Sequence, residues 1–157
     1  FLFEYETSLQ ASSKSGREKV DWDVFSEEDY KTDYETVEHI YPQKARDKYW
    51  TDRFSQFNPT QRRLLRNSLG NLLPLAKPRN SSLSNRPFPD KLGSETAKEG
   101  YRYGCYSENE VALRPEWTAS EIVDRGIRLL EFLEKRWKLQ IGDRKSKLHA
   151  LGLDFTG

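Results

Sequence analysis

The sequence predicts an α+β domain that is mainly helical, with a few short strands, and four observations carry that prediction. Thr118-Ala119-Ser120-Glu121 has the spacing of a helix capping box. Ile122, Gly126, Leu129, Leu130, Leu133 and Trp137 then recur at helical spacing and fall on one face. Asn58-Pro59-Thr60 opens a second helix, with a capping side chain followed by a proline where no backbone donor is needed. Residues 20–25 and 34–40 alternate apolar and polar positions, the period of a strand with one buried face.

A chain of 157 residues is long enough to bury a core and is expected to be one domain. Only 35% of it is hydrophobic against 32% charged, so aromatic side chains, 13% of the chain, must supply much of the buried area. The chain starts Phe1-Leu2-Phe3 and holds no Met, and is therefore expected to be a fragment of a longer protein. No apolar run approaches the roughly 18–20 residues of a membrane span, so no membrane association is expected. The single Cys105 excludes an internal disulfide framework and a multi-cysteine zinc site. A reducing, cytoplasmic setting is the expectation.

Taken in order, 1–9 reads as the end of an apolar helix or strand, and 10–19 as a Ser/Lys/Gly linker. Strands follow over 20–25 and 34–40, the second ending at a corner at His39 that Pro42 forces the chain to leave. Tyr49, Trp50, Phe54 and Phe57 place a helical face within 43–57. The helix opened by Asn58 is expected to end at Leu69-Gly70, with glycine just past its C-terminus. Leu72 to Leu75 reads as a short edge strand broken by Pro74. Pro78 opens a short helix, and Pro87, Pro89 and Gly93 lead into a loop-rich section ending at Cys105. A short helix is expected over 107–113, then the long one from Thr118, with Arg125, Arg128, Lys135 and Arg136 outward. The domain is expected to span 1–139, followed by a basic, poorly patterned tail over 140–157.

The net charge is only +1, but it is unevenly spread. Residues 18–38 hold nine acids against Lys19 and Lys31, whereas 60–91 hold seven bases against Asp90 alone. A basic segment in a neutral chain suits a phosphate-binding face as well as an ordinary solvated surface.

Two stretches carry candidate chemistry. Glu38-His39 sits at the end of the second strand, and Gly70-Asn71-Leu72 lies about thirty residues on, with Asn80 nine residues beyond Asn71. Phosphodiester hydrolysis needs a base to deprotonate water and a cation to stabilise charge on the phosphate. Histidine, with an ordinary pKa near 6.5, suits the first task. A carboxylate and an amide carbonyl suit the second, because Mg²⁺ prefers hard oxygen ligands. Adjacent strand residues point to opposite sides, so Glu38 and His39 could serve metal and water separately. Alone, each residue is an ordinary strand-end histidine, turn asparagine or helix cap.

Glu38-His39-Ile40-Tyr41-Pro42-Gln43, then Leu69-Gly70-Asn71-Leu72, then Asn80, resembles the HNH branch of the His-Me finger (ββα-metal) endonucleases. More closely, it is similar to the C-terminal nuclease domain of GmrSD-type, modification-dependent restriction enzymes. Asn80-Ser-Ser-Leu-Ser-Asn85 with Phe88 and Lys91, and Trp117-Thr118 with Ile122 and Arg125, extend the similarity. The resemblance implies a mainly helical domain around a small ββα-metal core. It implies His39 as general base, Asn71 orienting it through hydrogen bonds, and Glu38 and Asn80 as ligands of a divalent metal, Mg²⁺ or Mn²⁺. Lys91 is a weaker candidate for phosphate contact, and Arg79, Arg86 and Lys77 complete the expected nucleic-acid-binding set. It also implies a DNA substrate in bacterial defence against phage or modified DNA. A ParB-like nucleotide-hydrolysing domain would precede this one in the parent chain, and duplex cutting would favour a homodimer. Two other readings compete: a nucleic-acid-binding module without catalysis, and a helical protein-interaction domain using the face from Ile122 to Trp137.

Overall fold

The computed structural model describes residues 1–14, 19, 37–75, 82–96 and 98–157. Among these the elements are α1 (Leu2–Ser12), β1 (Val37–His39), α2 (Lys48–Arg53), α3 (Pro59–Asn67), a 3-10 turn (Leu69–Asn71), β2 (Leu72–Pro74), α4 (Phe88–Leu92), a 3-10 turn (Tyr101–Tyr103), α5 (Tyr106–Ala112), α6 (Ala119–Trp137), α7 (Arg144–Leu151) and a last 3-10 turn (Asp154–Thr156). β1 and β2 pair into a two-stranded antiparallel sheet. The mainly helical α+β class expected from the sequence is the class observed. The strand expected over 20–25 and the helix start at Pro78 lie outside the described residues. The chain divides into two compact units, Phe1–Glu38 with Leu73–Pro115, and His39–Leu72 with Glu116–Gly157.

In the first unit, the N-terminal apolar segment is helical and runs to Ser12, past the linker expected to begin at residue 10. Its Glu6 is 1% exposed and is satisfied by the start of α5. Oε1 accepts the Tyr106 N–H at 2.6 Å, and Oε2 accepts the Ser107 N–H at 2.7 Å and the Ser107 hydroxyl. A helix N-terminus offers unpaired N–H groups and a positive dipole end, which is why a carboxylate can be buried there. Glu108 turns back to accept the Cys105 N–H at 2.8 Å. Burial first, and then the charges of Glu108 and Glu6, push the Cys105 thiol well above its ordinary pKa. The section expected to be loop holds α4, because Pro87 and Pro89 occupy the start of a helix, where proline costs no hydrogen bond.

In the second unit, Tyr41 and Phe54 stack in parallel with ring centroids 3.8 Å apart, and Trp50 tilts against Tyr41 at 5.5 Å. Asn58 and Gln61 form the capping box that opens α3. That helix ends at Asn67, short of Gly70, and Ser68 turns extended to start the 3-10 turn. Gly70 is therefore not a helix stop. A Cβ built on it would lie 1.9 Å from the Ile122 carbonyl oxygen and 2.7 Å from the Gly126 nitrogen, so glycine is what lets the turn lie against α6.

α6 has the expected capping box at Thr118 and Glu121. Two side chains depart from the expected face. Arg125, expected outward, is 1% exposed and donates from Nη1 to the carbonyls of Gly70 (2.9 Å) and Leu72 (2.8 Å). Those carbonyls are buried beside α6 and need a donor, so the arginine turns in. Trp137, expected on the buried face, is 42% exposed. The segment expected as a poorly patterned tail forms α7, capped by Asp143 and seated by the buried Leu148 and Leu153.

Gly70→Ala must push the turn and α6 apart, an overpacking cost of ~1–3 kcal/mol. Thermal or urea denaturation should show the loss, and a variant as stable as the parent would mean that the close approach is not required.

Candidate active site

β1 places Glu38 and His39 on opposite sides of one strand, and their burial follows: Val37 is exposed, Glu38 buried and His39 half-buried. The alternation of the sequence favours burying Val37; the structure buries the carboxylate beside it. Glu38 Oε1 accepts from Lys91 Nζ at 2.6 Å and from the Tyr101 hydroxyl at 2.8 Å. The Lys91 side chain is 0% exposed and that of Glu38 is 3%. Burial pushes the Lys91 ammonium below its ordinary pKa, and the charge and hydrogen bond of Glu38 pull it back up. Phe88 packs beside Tyr101, with ring centroids 6.3 Å apart, so α4 and the turn at Tyr101 both close over the pair.

On the other side of His39 the chain is held by Asn71, which is 0% exposed. Its backbone carbonyl accepts the Ile40 N–H at 3.1 Å. Its side-chain Oδ1 accepts the Tyr41 N–H at 2.8 Å and Trp117 Nε1–H at 3.1 Å. Nδ2 donates to the Tyr41 carbonyl at 2.9 Å and to the Arg66 carbonyl at 2.8 Å. The amide thus fixes the backbone that follows His39. The 3-10 turn is what aims it, since that turn delivers the Asn71 side chain and backbone together.

Of the other expected site residues, Lys91 lies buried on Glu38 and presents no ammonium to solvent. Arg86 is exposed near the start of α4. Asn80, Lys77 and Arg79 lie outside the described residues. Tyr101 was missed by sequence reasoning, and Trp117 and Arg125, which the resemblance singled out, were given no contact with the site. Trp117 stands next to the Thr118 cap, and Arg125 is about two turns into the helix near the apolar positions Ile122 and Gly126; Tyr101 carries no local signal, since its partner lies 63 residues away.

Among the described residues no group of three His, Cys, Asp or Glu side chains could hold a metal ion. Glu38 nonetheless has the right donor chemistry. Both hydrogen bonds to it from described residues end on Oε1, and Oε2 is a hard carboxylate oxygen of the kind Mg²⁺ takes.

A family model described as "GmrSD restriction endonucleases, C-terminal domain" matches residues 4–132. No curated protein and no solved structure matches the chain.

The buried pair makes a double-mutant cycle informative. Lys91→Met alone or Glu38→Gln alone leaves an uncompensated buried group and should cost ~3–5 kcal/mol. The double variant should cost clearly less than the sum in urea denaturation. Strict additivity would show that the pair does not hold β1.

Proposed function

The chain belongs to the family of GmrSD restriction endonuclease C-terminal domains, and from that premise we propose that it is an HNH-type, metal-dependent DNA endonuclease domain in which His39 activates water. The observation that carries the reading is the position of His39. It stands at the end of β1, half-buried, and the backbone that follows it is locked by Asn71 of the same compact unit. A general base must be held within hydrogen-bond reach of the proton it removes, and a histidine fixed at its strand end is pre-oriented for that.

In this reading the imidazole of His39 accepts a proton from a water whose oxygen attacks the phosphorus of a DNA phosphodiester. The bond to the leaving sugar oxygen breaks, and that oxygen takes a proton from solvent. Glu38 through Oε2, together with Asn80, would hold a divalent cation, Mg²⁺ or Mn²⁺, which supplies charge stabilisation at the phosphate. Asn71 orients His39 indirectly, through the backbone at Ile40 and Tyr41. Lys91, buried on Glu38, holds that carboxylate in place. Phosphate contacts then fall to Arg86 and, beyond the described residues, Lys77 and Arg79.

The wider context is cleavage of phage or modified DNA in bacterial defence, in the cytoplasm. There a ParB-like nucleotide-hydrolysing domain would precede this one, and two copies would cut both strands. Among the described residues no helix is long and apolar enough to cross a membrane.

Incubation with supercoiled plasmid and Mg²⁺ or Mn²⁺ tests the reading. The parent chain should give nicked or linear product, His39→Ala should lose ~10²–10⁴-fold in rate, and a chelator should stop the parent. Equal cutting by parent and His39→Ala would sink the assignment.

A further inference from the structure

We propose that the C-terminal end of α6 together with α7 forms a surface for the sugar-phosphate backbone of duplex DNA. The proposal rests on the endonuclease reading and deepens it by naming where the substrate is held.

Charge is the first observation. Of the chain's 26 Lys and Arg, six lie in 133–157, against three of its 25 acids, so 1–132 is left with a net charge of −2. The family match ends at residue 132, which makes this positive segment an addition to the matched domain. A nuclease domain that is itself slightly acidic must bring cations from somewhere to meet a polyanion.

How the acids are used is the second observation. Glu134 accepts the Ile141 and Gly142 N–H groups at 2.7 and 3.2 Å and pairs with Lys147 at 3.0 Å. Asp143 accepts the Ser146 N–H at 2.9 Å as the cap of α7. Asp154 faces His149 Nδ1 at 3.2 Å, and Asp124 lies 3.8 Å from Arg144. Glu134 and Asp124 thus link α6 to the α7 segment, while Asp143 and Asp154 are engaged within α7 and the turn after it. Lys135, Lys138 and Lys145 are exposed, and among the described residues none of the three makes an ion pair.

Backbone geometry is the third. Lys138 closes α6 in the left-handed conformation, φ 54°, and its N–H returns to the Glu134 carbonyl. That turn brings the chain back so that α7 packs beside α6, with a Cβ on Gly126 meeting Leu151 at 2.8 Å. The basic residues therefore sit on a folded, seated surface. The exposed indole of Trp137 lies between Arg136 and Lys138 in sequence, an aromatic among cations that suits contact with deoxyribose. Lysines outnumber the exposed apolar residues Trp137 and Leu139, which favours a nucleic acid over a lipid surface.

Binding is measured by fluorescence anisotropy with a short labelled duplex, in a chelator and in the His39→Ala background, so that no catalysis enters. The variant Lys135→Gln/Lys138→Asn/Lys145→Gln should weaken binding roughly tenfold or more at physiological salt. Its log–log salt dependence should be shallower by about 0.9 per lost phosphate contact. A charge-matched control, Lys14→Gln/Lys48→Gln/Lys98→Asn, should change affinity by no more than about twofold if position rather than net charge matters. Equal weakening by both triples, an unchanged slope, or no duplex binding by the parent would overturn the proposal. So would loss of binding to phosphatidylserine vesicles with duplex binding intact. Duplex binding that depends on the three lysines in a parent chain that cuts no plasmid would support the surface while sinking the endonuclease reading.

Discussion

The half of the site around His39 depends on one buried amide. Asn71 spends all of its side-chain hydrogen-bonding on four partners, the Tyr41 N–H and carbonyl, the Arg66 carbonyl and the Trp117 indole. Each would be an unsatisfied buried group without it, at ~1–3 kcal/mol apiece. The demand propagates outward. Asn71 reaches these partners only because the 3-10 turn lies against α6, the turn lies there only because residue 70 has no side chain, and Arg125 satisfies the carbonyls that the approach buries. The aromatic stack of Tyr41, Phe54 and Trp50 then fixes the chain as it leaves the strand.

The other anchor of β1 is electrostatic. Burying Glu38 while leaving Val37 exposed runs against hydrophobic patterning, and an isolated buried carboxylate would be costly. Lys91 and Tyr101 offset that cost by giving Oε1 an ammonium and a hydroxyl in a dry setting. Such pairs contribute little net stability, whereas removing one partner is strongly destabilising. A one-residue slip of β1 would bury Val37 against an unpaired ammonium and turn the Glu38 carboxylate to solvent. The burial of Glu38 on Lys91 and Tyr101 thereby sets which face of β1 is turned inward.

These two anchors recast the roles drawn from the sequence. Asn71 works on the backbone after His39 through Ile40 and Tyr41, and Lys91 works on Glu38 where a direct contact with phosphate was expected. The exposed lysines of α6 and α7 lie in the same compact unit as His39. The segment beyond the family match is thus a folded helix with a charge pattern of its own.

Local chemistry made much of the fold legible. The cap at Asn58, the capping box at Thr118, the periodicity of α6 and the strand ending at His39 all depend on neighbours within a few residues. Glu38, His39 and Asn71 stand out only together, through the resemblance that joins stretches about thirty residues apart. What the sequence could not determine were the partners brought from far along the chain. Glu38 meets Lys91 and Tyr101 from 53 and 63 residues away, and Asn71 meets Trp117 from 46. The same distance explains why Gly70 reads as a helix stop, Arg125 as a surface charge and Trp137 as core. Residue type and spacing set local conformation, but which face is buried, and which charge may be buried with it, is decided only when packing supplies the partner.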